Sequence, residues 1–493
     1  MEPTSGIPRL YNHRHPEKTV LYDIVRRFSA TFFAERELEG RSVPGYIKKE
    51  FDNYLRCGIL AYGFVRVACT ECTEERIVPF SCKGRGLCVS CMSRRMAEVS
   101  LHIDDNVIPE VPTRQFVLTL PVPVRLWAAR NKELLSKICS IAAEQIEKHI
   151  KMKAGFEKKD EVYCGMINFV QRFGSALNLN IHMHVLAIDG AFQIKSTGRT
   201  KFYHAKSPTD NEVGKLLQAI SKRVNKYLVK KRFLEVRDEV LIAQDTSSLF
   251  EQDNMHLPAM AASLASKIAF GRNSGQCVKR LYANGRLWPS DTEYENTGDR
   301  CAASGGYTLH ANTAIKAEDR ERLKHLIRYM ARPSVSDERI ELLPDDNVRI
   351  KLKTAWSDGS THIELSALET MEKLVALVPL PKFHLLRYYG VLSPHAKYRS
   401  KIVPAPKNDN TASEQKAGGV GTKKRRYYSF AELLKRTFAI DILVCVRCGA
   451  KMAIKCIVED VRAITDTLVA LGLDPKPPDI FPAMPTTVFS EGW

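Results

Sequence analysis

The chain has 493 residues, with 74 Lys and Arg against 56 Asp and Glu, a formal charge of +18, and 44% hydrophobic residues. That length makes roughly two to four domains, each able to bury a core, and no run of about 20 apolar residues exists to span a bilayer. A positive excess of this size serves most often to neutralise phosphates and release their counterions, so nucleic acid is the expected partner and a membrane is not. Residues 1–18 are polar and contain Pro3, Pro8 and Pro16. They offer no apolar segment of a secretory signal, which predicts a cytoplasmic location. In that reducing compartment an odd count of 13 cysteines points to metal ligation before disulfides.

Residues 21–60 read as helices, with Leu21, Ile24, Val25, Phe28 and Phe32 at three- and four-residue spacing. A cysteine cluster follows from Cys69 to Cys91. Gln115–Pro121 is a strand candidate and Leu126–Ile150 a single helix. Met166–Gln171 and Leu177–Ile188 read as two strands joined by a turn around Gly174 and Ser175. Residues 205–300 begin with a helical pattern over Val213–Leu234 and continue as polar, Gly- and Asn-containing sequence, which suggests an insertion. Tyr307–Ile315 is a strand candidate and Ala317–Arg332 a helix stopped by Pro333. Val348–Thr354 and Thr361–Leu365 flank Ser357–Ser360, a hairpin signal. Residues 404–426 are rich in Pro, Gly and Lys and read as a flexible basic linker before a small unit carrying Cys445-x2-Cys448.

Cys69-x2-Cys72-x15-Cys88-x2-Cys91 has the two-knuckle spacing of a structural zinc site, because each knuckle aims two thiolates at one ion. Lys83, Arg85, Arg94 and Arg95 lie between and just after these pairs, where a rigid metal unit would present them to phosphates. Cys57 and Cys82 are left over and read as buried thiols that could exchange for a ligand. The Cys445–Cys448 pair is followed only by Cys456, so the site it would make is incomplete without a histidine or a partner chain, and a decayed or metal-free ribbon is the equal reading.

Along Leu177–Val185 the period is two. Leu177, Leu179, Ile181, Met183 and Val185 share one face, while Asn178, Asn180, His182 and His184 share the other. Two imidazoles side by side on a sheet can hold one divalent ion and leave positions open for a substrate oxygen. The rival reading of the strand is a solvated polar face. A third ligand would be Gln171, across the hairpin turn, with His310 as its competitor. In the helix Ala317–Arg332 the apolar stripe is Leu323, Leu326, Ile327, Met330 and Ala331, and Tyr329 falls roughly 130° from its centre. That tyrosine is therefore not a core aromatic: with Arg328 and Arg332 beside it, it reads either as a nucleophile on phosphorus or as one of the common surface tyrosines.

LNLNIHMHVLAIDG around His182 and His184, the cluster CTEC…SCKGRGLCVSC, and LIRYMARP around Tyr329 together resemble the rolling-circle insertion-sequence transposases of the HUH endonuclease superfamily, over roughly residues 20 to 475. The resemblance implies a single-strand DNA endonuclease and strand transferase, in which the tyrosine forms a 5′-phosphotyrosine and frees a 3′-hydroxyl. His182 and His184 match the paired histidines and Tyr329 the nucleophile. Two-tyrosine members carry a second tyrosine four residues earlier, where this chain has His325, so it resembles the single-tyrosine type. Tyr388 and Tyr389 are the substitutes.

The expected fold is α+β, an HUH-type antiparallel sheet with helices, preceded by a helical and zinc-ribbon domain. Expected divisions are 1–110 (helical and zinc-binding), 111–340 (catalytic, with the insertion), 341–403 (hairpin and helix extension), the linker, and 427–493. The cofactors implied are structural Zn2+ and a catalytic Mg2+ or Mn2+. The partners are single-stranded DNA and insertion-sequence ends, at the nucleoid of a bacterium. A non-catalytic zinc-dependent DNA-binding regulator and a zinc hydrolase acting through His182 and His184 are the rival functions. Nothing in the residues indicates an oligomeric state.

Overall fold

The computed structural model describes residues 13–157, 161–195, 197–237, 240–243, 253–282, 298–356, 358–403, 429–438 and 440–484. Its architecture is α+β with antiparallel sheets. The largest sheet runs Cys301–Ser304, Tyr307–His310, Thr113–Thr119, Leu179–Ile188, Gly165–Phe173, Leu386–Gly390, and the short strand Ala314–Ile315 pairs separately along Thr113–Thr119. The histidine strand Leu179–Ile188 is therefore central, which fixes its register on both sides.

Alternation along that strand divides two cores. Ile181, Met183 and Val185 join the main core with Leu134, Ile138 and Ile141 of the helix Lys132–Lys153. Leu186 and Ile188 face the other way and join a second core with Ile167, Phe169, Leu323, Ile327 and Met330. His182 and His184 continue that second face toward its polar end. Burial of apolar surface on both sides holds the strand flat between two layers and leaves its imidazoles at the edge of one of them.

The helix over the second face is Arg320–Ala331, the tyrosine helix. The side chain of its N-cap, Asp319, accepts from the backbone N–H of Arg322, and it stops where Arg332 becomes extended before Pro333. Leu323, Ile327 and Met330 form its buried stripe. Its first turn is tied to the helix Val89–Asn106: Asp104 pairs with Arg320 at 2.6 Å and with Lys324 at 3.6 Å, and the Ser100 hydroxyl donates to the Lys324 carbonyl at 3.2 Å.

Several expectations need correction. Leu126–Ile150 is two helices, Val122–Arg130 and Lys132–Lys153, because the Asn131 side chain accepts from the N–H groups of Glu133 and Leu134 and starts the second. Tyr307–Ile315 is interrupted between its two strands, and the Thr313 carbonyl in the gap accepts from Gln115 N–H at 2.9 Å. The region read as an insertion contributes the buried helix His256–Leu264 and the strand Lys279–Tyr282, which pairs with Ser360–Ser366. From the extension, Leu386–Gly390 pairs along Gly165–Phe173 in the large sheet. From the C-terminal unit, Met452–Val458 pairs along Phe64–Cys69, so the two ends of the chain share one sheet. The linker at 404–426 lies outside the described residues. Among the described residues no helix is long and apolar enough to cross a membrane.

Candidate active site and metal centres

Register brings the site together. Gln171 lies directly opposite His182 in the pair of central strands, and Phe169 lies opposite His184. Directly opposed residues of an antiparallel pair project to the same face, so Gln171 joins the two imidazoles. The rings of His182 and His184 are 4.9 Å apart between centroids, and the Tyr329 ring stands edge-on to His184 at 5.8 Å. Tyr329 is 39% exposed, an unusual figure for an aromatic held this close to a buried histidine. Arg332 and Lys353 flank its ring, with Arg332 Cζ 4.6 Å and Lys353 Nζ 4.1 Å from the centroid.

The hydrogen bonds leave a particular set of lone pairs. His182 Nδ1 donates to the Asn180 carbonyl at 3.0 Å, which leaves its Nε2 an acceptor. His184 Nδ1 meets the Gln115 side-chain amide at 2.8 Å. As placed, the amide Nε2 donates to Nδ1; the amide orientation related by a half turn puts its oxygen there instead, and is the one that leaves the Nε2 lone pair for a metal. Gln171 Nε2 donates to the carbonyls of Tyr329 and Met330, at 3.1 and 2.9 Å, and so caps the C-terminal end of the tyrosine helix. Gln171 Oε1 and His184 Nε2 are buried and have no hydrogen-bond partner among the described residues.

Burial pushes His182 down to about 4, and Arg125 and Arg332 add to the effect. Burial likewise pushes His184 down to about 3, helped by His182, Arg332 and Lys353. Both rings are therefore neutral at pH 7, the form in which an imidazole can ligate. Buried acceptors left without donors are costly, and a cation is the species that satisfies two imidazole nitrogens and an amide oxygen together.

His310 sits two strands from His184, with Val117 paired between them. It does not converge with His182 and His184 into a three-ligand group among the described residues. Tyr388 is opposite Ile167, well along the sheet from Gln171, and Tyr389 points into the main core, where burial raises its phenol. Neither approaches the histidines. His325 is exposed, one turn before Tyr329.

The cysteines divide differently from their order in sequence. Cys69, Cys72, Cys88 and Cys91 do not converge on one point. Cys88 and Cys91 meet Cys57 and Cys82, while Cys69 and Cys72 meet Cys445 and Cys448. The reason is the strand pair Phe64–Cys69 and Glu75–Pro79, which carries the first knuckle to one end of the small sheet and returns the chain at the other. In the first group the Sγ atoms of Cys57 and Cys91 are 3.6 Å apart and those of Cys82 and Cys91 3.5 Å. The Glu50 carboxylate accepts from the N–H groups of Arg85, Gly86 and Leu87 and holds the loop after Cys82. A Cβ on Gly84 would come within 2.9 Å of that carboxylate and 3.2 Å of Cys82 Sγ, so a larger residue there would displace the Glu50 side chain that holds the loop. Cys88 caps the helix Val89–Asn106, the one that clamps the tyrosine helix.

Lys83, Arg85, Arg95 and Arg332 line a cleft of about 750 Å3 between this knuckle, the end of the tyrosine helix and the strand Gly165–Phe173. Arg94 and Arg328 do not line it. Sequence reasoning missed Gln115 and Lys353, and read Cys57 and Cys82 as spare thiols where they complete the group of Cys88 and Cys91. The strand period puts Gln115, Val117 and Thr119 on the face of the histidines, which was a usable signal for the first. For Lys353, which reaches Tyr329 from the bend after the strand Asn347–Lys351, there was none.

Residues 165–400 match the family model described as "Putative transposase", and residues 24–120 match the "Transposase zinc-binding domain". No curated protein and no solved structure matches the chain. The zinc-binding domain and the catalytic sheet thus define a transposase with an N-terminal metal-binding module. Both matched models are of transposases, and they lie in order along residues 24–400 of the chain.

Proposed function

We propose that this transposase nicks and rejoins single-stranded DNA at the ends of an insertion sequence through a 5′-phosphotyrosine on Tyr329. The observation that carries the reading is Gln171: one amide caps the helix that bears Tyr329 and leaves its other atom, unpartnered, on the sheet face that carries the two histidines. The nucleophile and the ligand set are thereby held in one frame. His182 Nε2, His184 Nε2 and Gln171 Oε1 are the donors that would hold a Mg2+ or Mn2+ ion, which supplies polarisation of the scissile phosphate.

In the cleavage step the Tyr329 hydroxyl loses its proton and its oxygen bonds to phosphorus. The bond from phosphorus to the 3′ oxygen breaks, and that oxygen takes up a proton. Rejoining is the reverse attack by a 3′-hydroxyl, so one phosphodiester is exchanged for another without a high-energy cofactor. Arg332 and Lys353, beside the ring, balance the charge that develops on the phosphate oxygens. The cations of the cleft, Lys83, Arg85 and Arg95, hold the sugar–phosphate backbone leading to the site, and a DNA substrate places the protein at the nucleoid.

The test is a denaturing gel of labelled single-stranded DNA, carrying the element's terminal sequences, incubated with protein and manganese. The wild type should yield a protein-linked strand. Tyr329→Phe keeps the ring and its packing and should bind the same DNA without forming the adduct. An adduct of undiminished yield from the Phe variant would reject Tyr329, and turnover of DNA without any adduct would favour a metal hydrolase.

A further inference from the structure

The second cysteine group lies partly outside both matched regions, since Cys445 and Cys448 follow residue 400. We propose that Cys69, Cys72, Cys445 and Cys448 form a second tetrathiolate zinc site, one that clasps the C-terminal unit to the N-terminal zinc-binding domain.

Three independent features of the structure support it. The first is spacing. The Sγ atoms of Cys69 and Cys448 are 3.5 Å apart, those of Cys72 and Cys445 3.6 Å, and those of Cys72 and Cys448 3.6 Å. A zinc tetrahedron with bonds of about 2.3 Å has edges of about 3.8 Å, whereas a disulfide needs about 2.05 Å. Four thiols at this separation are at ligating distances and not at bonding ones.

The second is the backbone around the sulfurs. Cys69 Sγ receives the N–H of Glu71 at 3.4 Å, and Cys72 that of Glu74. Cys445 receives those of Arg447 and Cys448, and Cys448 that of Ala450. Every sulfur thus faces at least one backbone donor from its own knuckle turn, so both turns aim their sulfurs at one point. Gly449, at φ +76°, supplies the left-handed turn that lets the second knuckle close, and its N–H donates to the Cys445 carbonyl at 2.9 Å.

The third is the frame. Cys72 and Cys445 are 373 residues apart in sequence. They are brought together by the pairing of Met452–Val458 along Phe64–Cys69, in which Cys69 lies opposite Met452. Val67, Cys445 and Met452 pack into a small core directly beneath the sulfurs. The strand pairing and the core of Phe64, Val458, Ile464 and Leu468 join the same two segments, and an ion bonded to two thiolates from each adds a direct tie at the end of the sheet. Soft thiolate donors in a closed set of four select zinc over magnesium or calcium.

The test measures metal on the whole chain, purified with zinc under reducing conditions. The wild type should carry two equivalents of structural zinc after the weakly held divalent ions are removed by dialysis. The double variant Cys445→Ser/Cys448→Ser should carry one, and Cys456→Ser, whose side chain lies outside the group, should keep two. In the cobalt-substituted protein the thiolate-to-cobalt absorption should fall to about half in the double variant, by loss of one of two sites. Cys448→His, which retains a ligand, should keep two equivalents and shift the cobalt spectrum toward mixed nitrogen and sulfur ligation, so that a folding failure of the double variant does not decide the matter. One equivalent in the wild type, two in the double variant, or an intact mass lower by four hydrogens with no second metal would overturn the proposal.

Discussion

At the residue scale the site depends on side-chain amides more than on charge. Gln171 donates to the end of the tyrosine helix with one atom and keeps the other for the histidines, a division that neither a carboxylate nor an apolar residue reproduces. Gln115 plays the matching part for His184, setting which ring nitrogen carries the proton. Gln115→Leu should therefore lower manganese affinity and adduct formation by about 10- to 100-fold, with DNA binding unchanged. Isothermal titration of manganese and the gel assay, read together, check this. An inert Gln115→Leu would mean that His184 is oriented by its neighbours in the sheet alone. The paired histidines and the off-stripe tyrosine were legible from strand and helix periods. Gln171 was legible only as a candidate, since its rank over His310 depends on which strand lies beside which.

At the element scale the tyrosine helix is short, Arg320–Ala331, and its position is set by packing and by its two ends. Ile327 is fully buried in the second core, and Ile327→Ala should cost about 2–5 kcal/mol, read as a loss of denaturation midpoint. The Asp104 carboxylate forms an ion pair with Arg320 at 2.6 Å at the other end, partly shielded from solvent. Asp104→Ala should destabilise by about 1–3 kcal/mol, the cost of leaving a partly buried guanidinium without its charged acceptor. It should also slow adduct formation while leaving the residues around Tyr329 in place. A variant that lost stability and kept the wild-type cleavage rate would show that the clamp supports the fold and not the alignment. Period and stop signals located this helix well. They said nothing of Val89–Asn106 as its clamp, because that contact joins segments more than 200 residues apart.

At the scale of the whole molecule the +18 charge becomes a directed feature in the cleft between the zinc knuckle and the tyrosine helix. Affinity for single-stranded DNA should fall steeply with salt. Replacing Lys83, Arg85 and Arg95 together with alanine should reduce the slope of log K against log salt by about 2, since each phosphate contact on a single strand contributes about 0.7. Fluorescence anisotropy across a salt series measures it. An unchanged slope would move the backbone contacts to another surface. With a DNA strand in that cleft, as proposed, the zinc knuckle and the histidine sheet would lie against the same strand, and cleavage at the proper end would require both.

Period, composition and knuckle spacing by themselves determined the α+β class, the metal-binding character of the N-terminal domain, the histidine face and the tyrosine helix, because each is a local pattern written in neighbouring residues. The partition of the cysteines was decided only by tertiary structure. Three knuckles with Cys57 and Cys82 make eight thiols, enough for two sites, but which four share an ion depends on a strand pairing between the two ends of the chain. Nearest neighbours in sequence were the wrong partners because a short hairpin carries the first knuckle away from the second. The same physics governs Lys353 and Asp104, whose partners lie on other elements, where chain distance carries no information about proximity once a core has formed.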